Sequence, residues 1–283
     1  MRHTRVMAAL VLVPLMSVAL ASCGDDDERL SKPEFTKKMN ALCKERDKKT
    51  EALDEVNFFN LDDGSKAFQE AKPDFEAFLD DVSELDPPKD AEETLDRYLE
   101  VGRNAVDDLG NMIAAGEAGE QKRYNQLLFS IFSSTDEVDE ALDAYGTSDC
   151  YDEDEALPPN EEPAAGANLV EVTGTEYAFE IPKVRPGKTA FKLVNKGVEL
   201  HIFGFGRLKE GATFEELRDA IQGGEEDPGL LEDERISGLA PPDGSAVANA
   251  DLIPGTYVAY CFIPAPDGAP HLAKGMLAQF EVA

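Results

Sequence analysis

Apolar residues recur at helical spacing through the first half of the chain. Phe35, Met39, Leu42, Leu53 and Val56 mark one stripe, and Phe68, Phe75, Phe78, Leu79, Val82 and Leu85 a second. Leu95, Tyr98, Leu99, Val106, Leu109 and Ile113 form a third; Tyr124, Leu127, Leu128, Ile131, Phe132, Val138, Leu142 and Tyr145 form a fourth. Each stripe predicts an amphipathic helix with one buried face. Ser31, with Glu34 three residues on, makes a capping box and sets the first helix start. Pro73 predicts a kink or restart in the second helix, and Pro87-Pro88 a break before the third. An antiparallel four-helix bundle over residues 31–150 follows.

The period then changes. Residues 151–166, "YDEDEALPPNEEPAAG", are acidic and proline-bearing without apolar recurrence, which predicts a linker. Beyond it, "NLVEVTGTEYAFEIP", "KTAFKLVN", "VELHIFGF", "SAVANADL", "GTYVAYCFI" and "MLAQFEVA" read as strands separated by Pro-Gly and Asn-Lys-Gly turns. They predict a β-sandwich over residues 167–283, and so a multidomain α + β chain. An insertion, residues 207–244, carries a short helix, Phe214 to Gln222, capped by Thr213 and Glu216, and then a very acidic loop.

The N-terminal stretch differs in kind. Arg2 and Arg5 precede "VMAALVLVPLMSVAL", an apolar run too short to span a bilayer comfortably. It closes on Leu20-Ala21-Ser22-Cys23, which resembles the lipobox of bacterial lipoproteins. That resemblance implies removal of residues 1–22 as a signal peptide and acylation of Cys23, palmitate included. It also implies an acidic tether over residues 23–30 and a protein held on the extracytoplasmic side of the cell membrane. In that oxidising setting Cys43, Cys150 and Cys261 remain. Cys43 lies on the inner stripe of the first helix and Cys150 just past the fourth, so a Cys43–Cys150 disulfide is expected. Closing a loop of about 100 residues, it contributes ~4–5 kcal/mol in the chain-entropy model. Cys261 is then the odd cysteine.

Charge narrows the partners. With 58 acidic against 27 basic residues and a net charge of −31, the chain repels nucleic-acid phosphates and anionic headgroups. A basic redox or transport partner suits it instead.

Cys261 sits in "YCFIPAPDGAPHLAKGM", with His271 and Met276 in the same loop; His201 lies upstream in "NKGVELH". An isolated histidine after a strand, followed far downstream by Cys…His…Met before the last strand, resembles the cupredoxins, the blue-copper β-sandwich family. The "PGTYVAYC" lead-in and "GMLAQFEVA" exit resemble that family's last two strands. The resemblance covers residues 168–283 and implies a Greek-key sandwich with His201, Cys261, His271 and Met276 as ligands of one copper ion. The chemistry agrees: thiolate, two imidazoles and a weak axial thioether form the electron-transfer copper set. One departure stands out. Nine residues, 262–270, separate Cys261 from His271, more than is usual in blue-copper loops. The excess contains Pro266-Asp267-Gly268, which reads as a tight turn able to bulge out and return.

A lipid-anchored copper protein for electron transfer or copper handling is the expectation, not an enzyme. No glycine-rich phosphate loop is present, and extra His-x-His motifs for multicopper oxidation are absent. The alternatives are a metal-free adhesion or scaffold lipoprotein, and a component of iron or copper uptake.

Overall fold

The computed structural model describes residues 29–151, 160–225 and 228–283. The expected signal peptide, Cys23, residues 24–28 of the tether and residues 152–159 of the linker lie outside these residues. The helical part comprises α1 (Lys32–Thr50), α2 (Leu61–Ser83), α3 (Glu92–Glu117) and α4 (Gln121–Tyr145). The Ser31–Glu34 capping box is formed as expected. Leu53 and Val56 do not extend α1, because a 3-10 turn, Glu51–Glu55, breaks away from it. Pro73 lies inside an uninterrupted α2. Phe35, Met39, Leu79, Val82, Leu95, Tyr98 and Leu142 form the core at the end of the bundle where α1 begins. Cys43 and Cys150 are joined by a disulfide, so the odd thiol is Cys261, buried and free.

The second part is a sandwich of two four-stranded sheets. One contains β1 (Asn168–Thr175), β2 (Ala178–Glu180), β3 (Gly187–Asn195) and β6 (Ser245–Leu252), in the order β2-β1-β3-β6. The other contains β4 (Gly204–Leu208), β5 (Leu231–Ile236), β7 (Gly255–Tyr260) and β8 (Leu277–Val282), in the order β5-β4-β7-β8. β1 and β3 run parallel; the other named pairs are antiparallel. Between the sheets, Val172, Phe191, Leu193, Phe203, Phe205, Tyr257 and Phe280 interdigitate. Burying aromatic side chains of this size dominates the stability of such a layer.

The insertion holds the expected helix, α5 (Phe214–Gln222), with its Thr213–Glu216 capping box. It also holds β5, where an acidic loop was expected. "LEDERI" shows no apolar alternation because it is an edge strand with both faces largely solvated. The visible end of the linker is pinned to β6: Asn160 Oδ1 accepts from Val247 N–H at 2.9 Å, and Glu161 Oε2 from Asn249 N–H at 2.9 Å.

The two parts meet at one end of each. The turns α1–α2 and α3–α4 of the bundle face the loops after β3, before β6 and after β7. One continuous apolar cluster joins them: Phe68, Met112, Tyr124 and Leu128 from the helices, with Leu200, Ile202, Leu239, Cys261 and Met276 from the sandwich. Around it, Asn125 donates to the Val198 carbonyl at 2.8 Å and Gln126 to the Pro242 carbonyl at 3.1 Å. Lys122 pairs with Asp243 at 2.6 Å.

Candidate metal centre

His201 lies just past β3, held by reciprocal backbone bonds with Ala240 of 3.1 and 2.8 Å. Its loop is shaped by a residue that strand patterning treats only as a turn. Buried Asn195 donates to the carbonyls of Glu199 (2.7 Å) and Ala240 (2.9 Å), while its oxygen accepts from Gly197 N–H (2.8 Å). Gly197 leaves room for the Glu176 carboxylate, which accepts from the Val198 and Glu199 N–H groups. Desolvation pushes Glu176 up, but those backbone donors outweigh it and hold the carboxyl below its ordinary value.

The other three candidates come from the β7–β8 connection. Cys261 N–H donates to the Met276 carbonyl (3.2 Å), Leu272 N–H to the Cys261 carbonyl (2.7 Å), and His271 N–H to the Ile263 carbonyl (2.9 Å). The chain thus leaves at Ile263 and re-enters at His271. The residues between form a small hairpin: Pro264 and Pro270 bridge, and Ala265 N–H donates to the Ala269 carbonyl at 2.9 Å. Gly268 takes a φ of 83° at the tip, and Asp267 accepts from Ala269 N–H at 3.2 Å. The long Cys–His spacing is a bulge that returns, as the Pro-Asp-Gly signal predicts, and it does not carry His271 away.

His201, Cys261 and His271 converge, with one donor atom from each within 4.8 Å of the others, and all three are fully buried. His201 Nδ1 lies 3.1 Å from His271 Nδ1, which lies 3.4 Å from Cys261 Sγ. Met276 is also fully buried. Its methyl and the His201 ring flank Gly174, so the thioether belongs to the same pocket. His271 Nε2 lies 2.8 Å from the Glu199 carboxylate, whose other oxygen accepts from the Tyr177 hydroxyl at 3.1 Å. That carboxylate is an acceptor for a proton on Nε2 and orients the ring so that Nδ1 faces Cys261 and His201. Glu199 and Tyr177 escaped the sequence reading because their roles depend on contacts distant in the chain.

Burial controls protonation. It pushes His201 down to about 3, with His271 adding to the effect, so that imidazole is neutral. It pushes the Cys261 thiol up to about 12, so the thiol keeps its proton in the absence of a cation. His201 Nε2 is buried with no hydrogen-bond partner among the described residues. Soft sulfur and two imidazoles, in a buried pocket with a carboxylate behind one ring, fit a thiophilic transition-metal ion.

The auracyanin matches among solved structures lie over the C-terminal half of the chain. A dithionite-reduced auracyanin from the photosynthetic bacterium Roseiflexus castenholzii is 23% identical over 42% of this chain and 99% of its own, with a TM-score of 0.30. Auracyanin A of Chloroflexus aurantiacus, described as a blue copper protein, is 18% identical over 42% of this chain and all of its own, with a TM-score of 0.27. A laccase from Botrytis aclada matches at 13% identity, over 47% of this chain and 32% of its own, with a TM-score of 0.23. No protein-family model and no curated protein matches the chain.

Proposed function

We propose that this protein binds one copper ion at His201, Cys261 and His271, with Met276 as the weak axial ligand, and serves one-electron transfer or copper handling. The convergence of the three fully buried donor groups carries the reading. When bound, copper supplies a one-electron couple, Cu(I)/Cu(II), at a thiolate–imidazole site. The chain's part is to hold the donors in place. The reciprocal His201–Ala240 bonds pin one ligand segment to the loop before β6, and the Cys261–Met276 and Cys261–Leu272 bonds tie the two ends of the other together. Glu199 keeps the His271 ring oriented. With every candidate ligand buried, the site suits electron exchange rather than substrate coordination. The lipobox-like Leu20–Cys23 supports anchoring on the extracytoplasmic face of a membrane, and the charge of −31 favours a basic partner.

The test is one spectrum. Cu(II) added to the full chain should give an intense visible sulfur-to-copper band. Cys261→Ser should abolish it, since a hydroxyl is a poor, hard ligand. His201→Ala or His271→Ala should shift or weaken the band, and Met276→Leu should keep colour while moving the potential. Wild-type protein that binds no more copper than Cys261→Ser would overturn the reading.

A further inference from the structure

The hairpin that lengthens the Cys–His loop is gripped from outside by the bundle. Asn57 Nδ2 donates to the Ala265 carbonyl at 3.0 Å and reaches the Pro266 carbonyl at 3.4 Å; Asn60 Nδ2 donates to the Pro266 carbonyl at 2.9 Å. Neither amide is free to turn round. Asn57 Oδ1 accepts from Phe59 N–H (3.2 Å), and Asn60 Oδ1 caps α2 by accepting from Asp62 and Asp63 N–H (3.0 Å each). Each side chain commits its oxygen to its own backbone, so its NH2 is aimed at the loop. The grip closes over a buried floor: Ala265 is fully buried, and Phe58, between the two asparagines, stacks on Phe68 at 4.9 Å and accepts from the Tyr124 hydroxyl at 3.0 Å.

We propose that Asn57 and Asn60 are positioning residues of the metal centre, so that the docked bundle sets the direction of the hairpin that presents His271. The reason is local. On the hairpin side His271 has a single backbone bond, to Ile263, and beyond the hairpin's own bonds one exposed ion pair, Lys274 with Asp267, ties its tip back to the segment after His271. Three part-buried contacts from the bundle hold its base on the other side and set its direction. The lengthened loop is then the surface through which the bundle acts on the ligands, which gives both the extra residues and the bundle a role at the site. The effect on copper rests on the copper reading; the effect on the loop does not.

The substitutions Asn57→Asp and Asn60→Asp separate the roles, because aspartate keeps the Asx turn and the helix cap but has no donor for the loop. In the full metal-free chain, the double variant should speed amide hydrogen exchange at Ala265, Gly268 and His271. On copper loading it should shift the visible band and weaken Cu(II) affinity roughly tenfold, as expected for losing these part-buried hydrogen bonds. Lys122→Ala, which removes an ion pair at the same interface away from the hairpin, should leave both unchanged. Should the double variant fail to fold, Asn57→Asp alone, which leaves the α2 cap untouched, gives the same readouts. Wild-type exchange rates in a folded variant overturn the proposal, as does an equal change in Lys122→Ala. If wild-type protein binds no copper, the copper reading fails and exchange alone decides on the grip.

Discussion

Gly64 lies directly beneath the hydroxyl of Tyr124: a Cβ at position 64 would overlap the oxygen. Tyr124 is fully buried, and that hydroxyl donates to the Phe58 carbonyl at 3.0 Å. Two needs meet there, close approach of α2 to α4 and a partner for a phenol placed among apolar side chains. Alanine is the better helix former by about 1 kcal/mol. Gly64→Ala should nonetheless destabilise the protein, by ~1–3 kcal/mol, because the ring must move and leave its acceptor. Thermal melts of the two forms read the sign, and a stabilised variant refutes the steric account.

The Cys43–Cys150 disulfide ties the middle of α1 to the segment just past α4, with a sequence separation of 107. Cys43→Ser/Cys150→Ser should lower unfolding stability by roughly 2–5 kcal/mol. Cys261 takes no part in that bond, so the double variant, where folded, should keep the copper spectrum of the wild type. Denaturant titration and an absorption spectrum on the same sample separate the two effects.

Asp139 of α4 lines a cleft on the bundle with Arg46, Asp47 and Asp136. Burial pushes its carboxyl up to about 7; Arg46 opposes this, and Asp136 and Asp47 add to it. An acid whose folded pKa is raised keeps its proton on folding while the unfolded chain ionises. Stability is therefore lost as pH rises between about 4 and 7. Asp139→Asn should stabilise the protein at pH 8 by on the order of 1–2 kcal/mol, allowing for solvent at a partly exposed side chain. The difference should vanish near pH 4. A gain independent of pH would show that the charge is not its source.

For the anchor, Cys23→Ala should move the protein from the membrane to the soluble fraction after cell lysis. Retention in the membrane fraction of a variant that cannot be acylated at position 23 would place the attachment elsewhere.

The helices were legible because each buries one face and so writes a period into the chain, and both capping boxes, at Ser31 and Thr213, formed where the spacing placed them. β5 was not, because an edge strand exposed along most of its length has no buried face to write one. At the metal centre the order His201, Cys261, His271, Met276 was legible as a resemblance, and the three donors named first do converge. Asn57, Asn60, Asn195 and Glu199 were not. Each acts through a contact whose partner lies at an unrelated chain distance, or through a side-chain bond to backbone, and neither leaves a repeat in the sequence.

The direction of α1 has a consequence for where the protein can work. Leu30, just before it, donates to the Asp86 carbonyl in the α2–α3 turn, the end of the bundle remote from the sandwich. From there α1 runs toward the metal end for 19 residues, a rise of about 28 Å at 1.5 Å per residue. His201 and Cys261 therefore lie at the opposite end of the bundle from Leu30, about one helix length away. Under the anchoring and copper reading proposed above, the bundle would act as a spacer, and a redox partner would meet the sandwich about one helix length from Leu30.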